Sequence, residues 1–182
     1  MTAGRRRDRG ALGSLAPRVY DRLVARVLLA TDGSAEAEAA TQVAVEQAEA
    51  MGSELHVVYV GRLPNFLMQD PDAVGPDCKL YGELERDSRE RLRRLVWQVK
   101  VAGGTVAAAR LRVGWPGREI ARLGEEIGTG MIVVGSRGRG RLRRAIAGSV
   151  SDSVVRHACC PVLVVSPGAR RGSSMGRFEA VG

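Results

Sequence analysis

Apolar positions along this chain fall into two rhythms, short unbroken runs and longer stretches spaced for a helix, and the two alternate. Arg26-Val27-Leu28-Leu29-Ala30 reads as a short buried strand, followed by Thr31-Asp32-Gly33-Ser34 as a turn that ends in a helix N-cap. Ala37, Ala40, Ala44, Ala48 and Met51 then recur at helical spacing, with Gly52 as the stop. Leu55 to Val60 is a second apolar strand. From Gly61 to Gly82 no period is visible, and prolines and glycines mark a loop. A longer helix follows, with Leu84, Leu92, Leu95, Val99 and Ala102 on one face and Arg86, Glu90, Arg93 and Lys100 away from it; Gly103-Gly104 ends it.

Val106 to Val113 sets Ala107, Ala109, Leu111 and Val113 against Arg110 and Arg112, the alternation of an edge strand with one solvated side. Pro116 suits the first turn of a helix carrying Ile120, Leu123 and Ile127. Met131 to Val134 predicts the fourth strand, Leu142 to His157 the fourth helix, and Pro161 to Val165 the fifth strand. Strand and helix alternate throughout, so the fold class is α/β with a parallel sheet. Right-handed crossovers and a strand order of 3-2-1-4-5 make an open doubly wound sheet, helices on both faces, whose switch point lies between strands 1 and 4. Ligands bind at such a point. That order brings the loop after strand 1, Ala30 to Ser34, beside the loop after strand 4, Gly135 to Gly140.

Length and charge refine this picture. The chain has 182 residues and 45% hydrophobic content, enough for one core, which we place at residues 23–166 between a basic extension at 1–22 and a tail at 167–182. Composition predicts disorder for both ends. No run approaches the roughly 18 apolar residues of a membrane span, and no apolar stretch follows the N-terminal arginines; the expected location is cytoplasmic, with no membrane partner. The formal charge is +8, but residues 1–22 hold six Arg against two Asp, and residues 166–182 hold three Arg against one Glu. Five more arginines, Arg137, Arg139, Arg141, Arg143 and Arg144, sit between Gly135 and Gly148. The positive field is therefore confined to one loop and two tails. Aromatic content of 4% leaves few stacking platforms, which disfavours nucleic acid as a partner.

The arginine loop also has a glycine pattern. It is neither a Walker A loop nor the dinucleotide Gly-x-Gly-x-x-Gly. Its spacing is Gly135, two residues, Gly138, nine residues, Gly148, Ser149. With this spacing the chain resembles the ATP-binding class of universal stress proteins, and the likeness runs from Arg26 to Val165 through VLLATDGS, SELHVVYV, VGWPGREI and CPVLVV. The resemblance implies a Rossmann-like sheet, a homodimer formed through the Val162 to Val165 edge strand, and ATP, with or without Mg2+, between strands 1 and 4. It further implies that Asp32 faces the nucleoside, that the backbone of Val60 meets the adenine edge, and that Ala30 and Thr31 line the same pocket. Gly130 stands where the family often has Asp.

Elementary chemistry agrees with a phosphate role for the loop. Gly135 and Gly138 let backbone amides approach an anion, and Gly148, Ser149 and Val150 add amides and a hydroxyl. With Gly148 and Ser149 inside a helix starting at Leu142, the helix N-terminus would supply less than in a P-loop, and side-chain charge from Arg137, Arg139 and Arg141 would supply more. No catalytic constellation is visible, so the expectation is a binding and regulatory module serving an unidentified protein partner, not an enzyme. A slow ATPase or nucleotide hydrolase on the same fold is the alternative, and nonspecific nucleic-acid binding through the tails is another. His56 and His157 are expected in structural or surface roles, Trp97 and Trp115 as packing residues, and Cys78, Cys159 and Cys160 as buried reduced thiols.

Overall fold

A computed structural model describes residues 26–62, 79–136 and 148–166. The tails at 1–22 and 167–182, Cys78, and the loop residues Arg137, Gly138, Arg139, Arg141, Arg143 and Arg144 lie outside the described residues. The elements are β1 (Arg26–Ala30), α1 (Ala35–Met51), β2 (Glu54–Gly61), α2 (Lys79–Val101), β3 (Val106–Val113), α3 (Pro116–Glu126), β4 (Met131–Gly135), α4 (Ser149–His157) and β5 (Val162–Val165). They form one five-stranded parallel sheet in the order β3-β2-β1-β4-β5.

The unbroken apolar runs of the central strands follow from burial on both faces. In β1, Val27 and Leu29 join Val57, Val133, Ala44, Leu92 and Val99 in one core, while Leu28 and Ala30 join Val58, Ile132, Ile120, Leu123 and Val154 in the other. Register keeps the layers level: Leu29 lies opposite Val57 on one side and Val133 on the other. The helix ends obey local chemistry. Ser34 caps α1 by accepting from the Ala37 N–H at 3.3 Å, and Gly52, at φ +61°, closes it with an N–H shared between Ala48 and Glu49 carbonyls. Ahead of β4, Thr129 Oγ1 donates to the Arg26 carbonyl at 2.9 Å and the Gly130 N–H donates to the same oxygen at 2.9 Å. Thr129 thus ties down the turn ahead of β4.

Four expectations are corrected. The fourth helix does not run from Leu142 through Gly148: it begins at Ser149, because Gly148 is extended (φ −73°, ψ 157°) and its N–H turns to the Ser136 carbonyl. In β3 the alternation changes phase. Val106 pairs with Leu55 and Ala108 with His56, so Ala107 is an extra residue in the ladder. That bulge lets Val106 and Leu111, an odd number apart, pack on the same core, and leaves Ala107 and Ala109 exposed. Trp97 and Trp115 are 64% and 60% exposed instead of packed, since α2 turns Leu92, Leu95 and Val99 inward and Trp115 sits in the turn ahead of Pro116. Cys159 is exposed and Cys160 half-buried, in the short connection between α4 and β5; burial and the neighbouring Cys159 push the Cys160 thiol up.

Candidate functional site

The site is built where β1 and β4 run side by side and their chains depart in opposite directions. Ala30 lies opposite Val134 at the ends of the two strands. After β1, the Thr31 N–H donates to the Val58 carbonyl at 3.2 Å, which extends the β1–β2 pairing and buries Thr31. Thr31 Oγ1 then accepts from the Gly33 N–H at 3.3 Å, and Asp32 Oδ1 from the Ser34 N–H at 2.9 Å. These two bonds fold the turn around itself and hold the Asp32 carboxylate, half-buried, at the end of the strand. Gly33 is required here: its φ is +72°, and a Cβ would stand 2.9 Å from Leu95 Cδ2 of α2.

After β4 the chain makes a clasp. The Ser136 N–H donates to the Val165 carbonyl at 2.7 Å, and the Ser136 carbonyl accepts from the Gly148 N–H at 2.6 Å. Ser151 Oγ secures the junction, donating toward the Gly148 carbonyl at 3.0 Å and the Ser136 carbonyl at 3.3 Å. The segment that departs after Ser136 is therefore returned to the end of β4 at Gly148. Neither Ser136 nor Ser151 was singled out by sequence reasoning, though both are at most 2% exposed. A serine among apolar residues on the inward face of a helix, three residues before Val154, is the signal that could have found Ser151.

The clasp sets the start of α4 beside the end of β4. Gly148 offers no side-chain cap, so the first N–H groups of the helix, those of Ser149 and Val150 among them, face outward with the positive end of the helix dipole. This is an arrangement that receives an anion. Val60, half-buried in β2, lies two residues beyond Val58, the partner of Ala30, and so stands level with Asp32. The fold thus gathers Ala30, Thr31, Asp32, Val60, Gly135, Gly148, Ser149 and Val150 at one end of the sheet. Arg137, Gly138 and Arg139 fall outside the described residues.

Other polar groups lie elsewhere. His157 ends α4 with Nδ1 2.7 Å from the Ser153 carbonyl, and no group of three or more metal-ligating side chains occurs among the described residues. Glu54 and Glu126, at the opposite end of the sheet, are both held below the usual carboxylate range. Hydrogen bonds from His56 and Arg26 lower Glu54; a hydrogen bond from Arg122, with Arg112 adding charge, lowers Glu126. No helix among the described residues is long and apolar enough to cross a membrane.

Comparison with known proteins returns one family. The model of the universal stress protein family matches residues 24–166. A universal stress protein of Staphylococcus haemolyticus, so named on a putative basis, is 35% identical over 143 residues, which span 76% of this chain and 82% of the relative. Among solved structures, a universal stress protein in complex with cAMP is 25% identical, with a TM-score of 0.58, covering 77% of this chain and 95% of its own. One from Archaeoglobus fulgidus in complex with dAMP is 25% identical, with a TM-score of 0.55, covering 77% and 95% respectively.

Proposed function

This chain belongs to the universal stress protein family, and from that premise we propose that it is a regulatory stress-response module that binds ATP in the crevice between β1 and β4. The observation that carries the reading is the Ser136–Gly148 clasp, which presents an uncapped helix N-terminus at the end of the central strands. Two structural neighbours hold adenine nucleotides, which supports this ligand class. In the complex, Asp32 accepts from ribose hydroxyls, the backbone of Val60 meets the adenine edge, and Ala30 and Thr31 wall the pocket. The amides of Gly135, Gly138, Gly148, Ser149 and Val150 surround the phosphates, and Arg137 and Arg139 supply charge, with Mg2+ as an optional companion. Three phosphates against such a donor set favour ATP over AMP.

The protein acts in the cytoplasm as a sensor read by a protein partner, without catalytic turnover. Calorimetry on the full chain is expected to show ATP binding at least about tenfold tighter than AMP, a difference of roughly 1.4 kcal/mol. Equal affinities would overturn the phosphate reading. Sustained hydrolysis at about 1 per second or faster, an ordinary enzymatic rate, would replace the sensor with an ATPase.

The functional unit is a homodimer. β5 is an edge strand, its Val162, Leu163 and Val164 only half-buried, and a bare apolar edge of this kind is normally paired or protected. Antiparallel pairing of β5 with its twofold mate satisfies both copies. Light scattering at micromolar concentration is expected to give a dimer, and Val164→Lys a folded monomer by circular dichroism. A monomeric parent would remove β5 as the interface.

A further inference from the structure

Among the described residues, Trp97, Val101, Trp115 and Val155 are the large apolar side chains left exposed. Trp97 and Val101 belong to the last turns of α2, which runs back toward the N-terminal ends of the strands and away from the crevice. Trp115 stands at the other end, on the crevice's rim. Behind it, the Gly114 N–H donates to the Gly61 carbonyl at 3.0 Å, so the chain leaves β3 held against the end of β2, one residue past Val60. Ahead of it, Gly117 packs directly on α4, beside Ser153 and the Val150 carbonyl. Trp115 and Pro116 thus span from the strand end assigned to the adenine to the helix turn assigned to the phosphates.

The face of the sheet agrees. Ile120 of α3 shares a core with Ala30 and Val58, and Val60 and Val150 pack against the same cluster, so α3 begins on the side where the crevice has its apolar wall. Trp115 is the N-cap of α3, a position where Ser, Thr, Asp, Asn or Gly serves a helix best. Its side chain makes no cap bond, has no other hydrogen bond among the described residues, and is 60% exposed. Pro116 fixes the backbone that follows, so the main chain of the turn is held on both sides while the indole can rotate about its own side-chain bonds. The sequence forgoes a helix cap here and sets a broad aromatic surface beside the base site instead.

We propose that Trp115 stacks on the base of the bound nucleotide and favours purines over pyrimidines, an inference that rests on the nucleotide reading of the crevice. A base whose edge meets the Val60 backbone, with Ala30 walling one side, turns its remaining face toward the rim. An indole laid on that face removes both ring systems from water, and two fused rings cover more of it than one. The phosphates bind alike whichever base they carry. Trp115 supplies the choice among bases.

The test uses the full-length chain and begins with Trp97→Phe, which leaves Trp115 as its remaining tryptophan. ATP is expected to quench the Trp115 fluorescence saturably, over the concentrations at which calorimetry shows binding. Inorganic tripolyphosphate, which carries the charge without the base, is expected to bind with no quenching. Trp115→Ala, in the otherwise unaltered protein, is expected to lower ATP affinity about tenfold or more, leaving tripolyphosphate affinity and melting temperature as in the parent, and Trp115→Phe to recover most of the loss. CTP, with one ring to cover, is expected to bind several-fold more weakly than ATP, a gap that Trp115→Ala narrows. ATP affinity unchanged by Trp115→Ala, Trp115 fluorescence unchanged in the ATP complex, equal losses for ATP and tripolyphosphate, or a gap to CTP that survives the substitution would each overturn the inference and leave the nucleotide reading standing. A parent that binds no ATP in calorimetry overturns both.

Discussion

Gly148→Val is expected to lower ATP affinity by about a hundredfold or more while leaving the sheet folded. The backbone at this position, φ −73° and ψ 157°, is open to any residue, and the N–H that reaches the Ser136 carbonyl is kept. The branched side chain instead stands over the amides of Ser149 and Val150, where the phosphates are to lie. Losing two charge-assisted bonds, at roughly 1.5 kcal/mol or more each, accounts for the hundredfold drop. Valine is also a poorer N-cap than glycine, which costs the fold up to about 1 kcal/mol, a few degrees of melting temperature. Calorimetry with and without the substitution, beside a melting curve of the free protein, separates the two effects. Unchanged ATP affinity would remove the helix N-terminus from the site.

The second large effect comes from a position with no polar group. Gly117, in the first turn of α3, lies so close to α4 that a Cβ there would stand 2.3 Å from both Cβ and Oγ of Ser153 and 3.3 Å from the Val150 carbonyl. Ser153 Cβ is fixed to its backbone and cannot swing aside. Gly117→Ala is therefore expected to push the two helices apart and to destabilise the fold by about 1–3 kcal/mol, as overpacking does. Because Val150 belongs to the first turn of α4, the same displacement should weaken ATP binding. Adding Ser153→Gly should restore affinity and only part of the melting temperature, since it deletes the two colliding Ser153 atoms but leaves the Val150 carbonyl at 3.3 Å and places a glycine inside α4, at about 1 kcal/mol. A loss of stability with no loss of affinity would show that the crevice tolerates movement of α4.

The strands were legible because the informative residues are local. Buried central strands write themselves as unbroken apolar runs, and Asp32-Gly33-Ser34 and Gly148-Ser149 fall where the chain leaves the sheet or re-enters a helix. The start of α4 was not legible. Leu142, Ile146, Val150 and Val154 keep a four-residue spacing across Gly148, and periodicity carries no mark of a break caused by a hydrogen bond to Ser136, far away in sequence. The bulge in β3 escaped for a related reason: alternation assumes one residue per rung, and only the facing strand reveals that Ala107 has none. Ser151 reads as a surface residue until Ser136 is placed beside it. The exposed tryptophans show the converse limit, that hydrophobic character permits burial without enforcing it.

The bond between Gly148 and Ser136 also bears on how this protein can change over time. Because Gly148 is bonded to Ser136, the two ends of the segment between them stand together at the end of β4. Doubling the number of residues between those ends costs only about 0.6 kcal/mol of closure entropy. A change in the number of residues between Ser136 and Gly148 is thus expected to cost the fold little closure entropy. The same property makes this the natural place to cut the chain for circular permutation, with Gly148 as a new beginning and Ser136 as a new end.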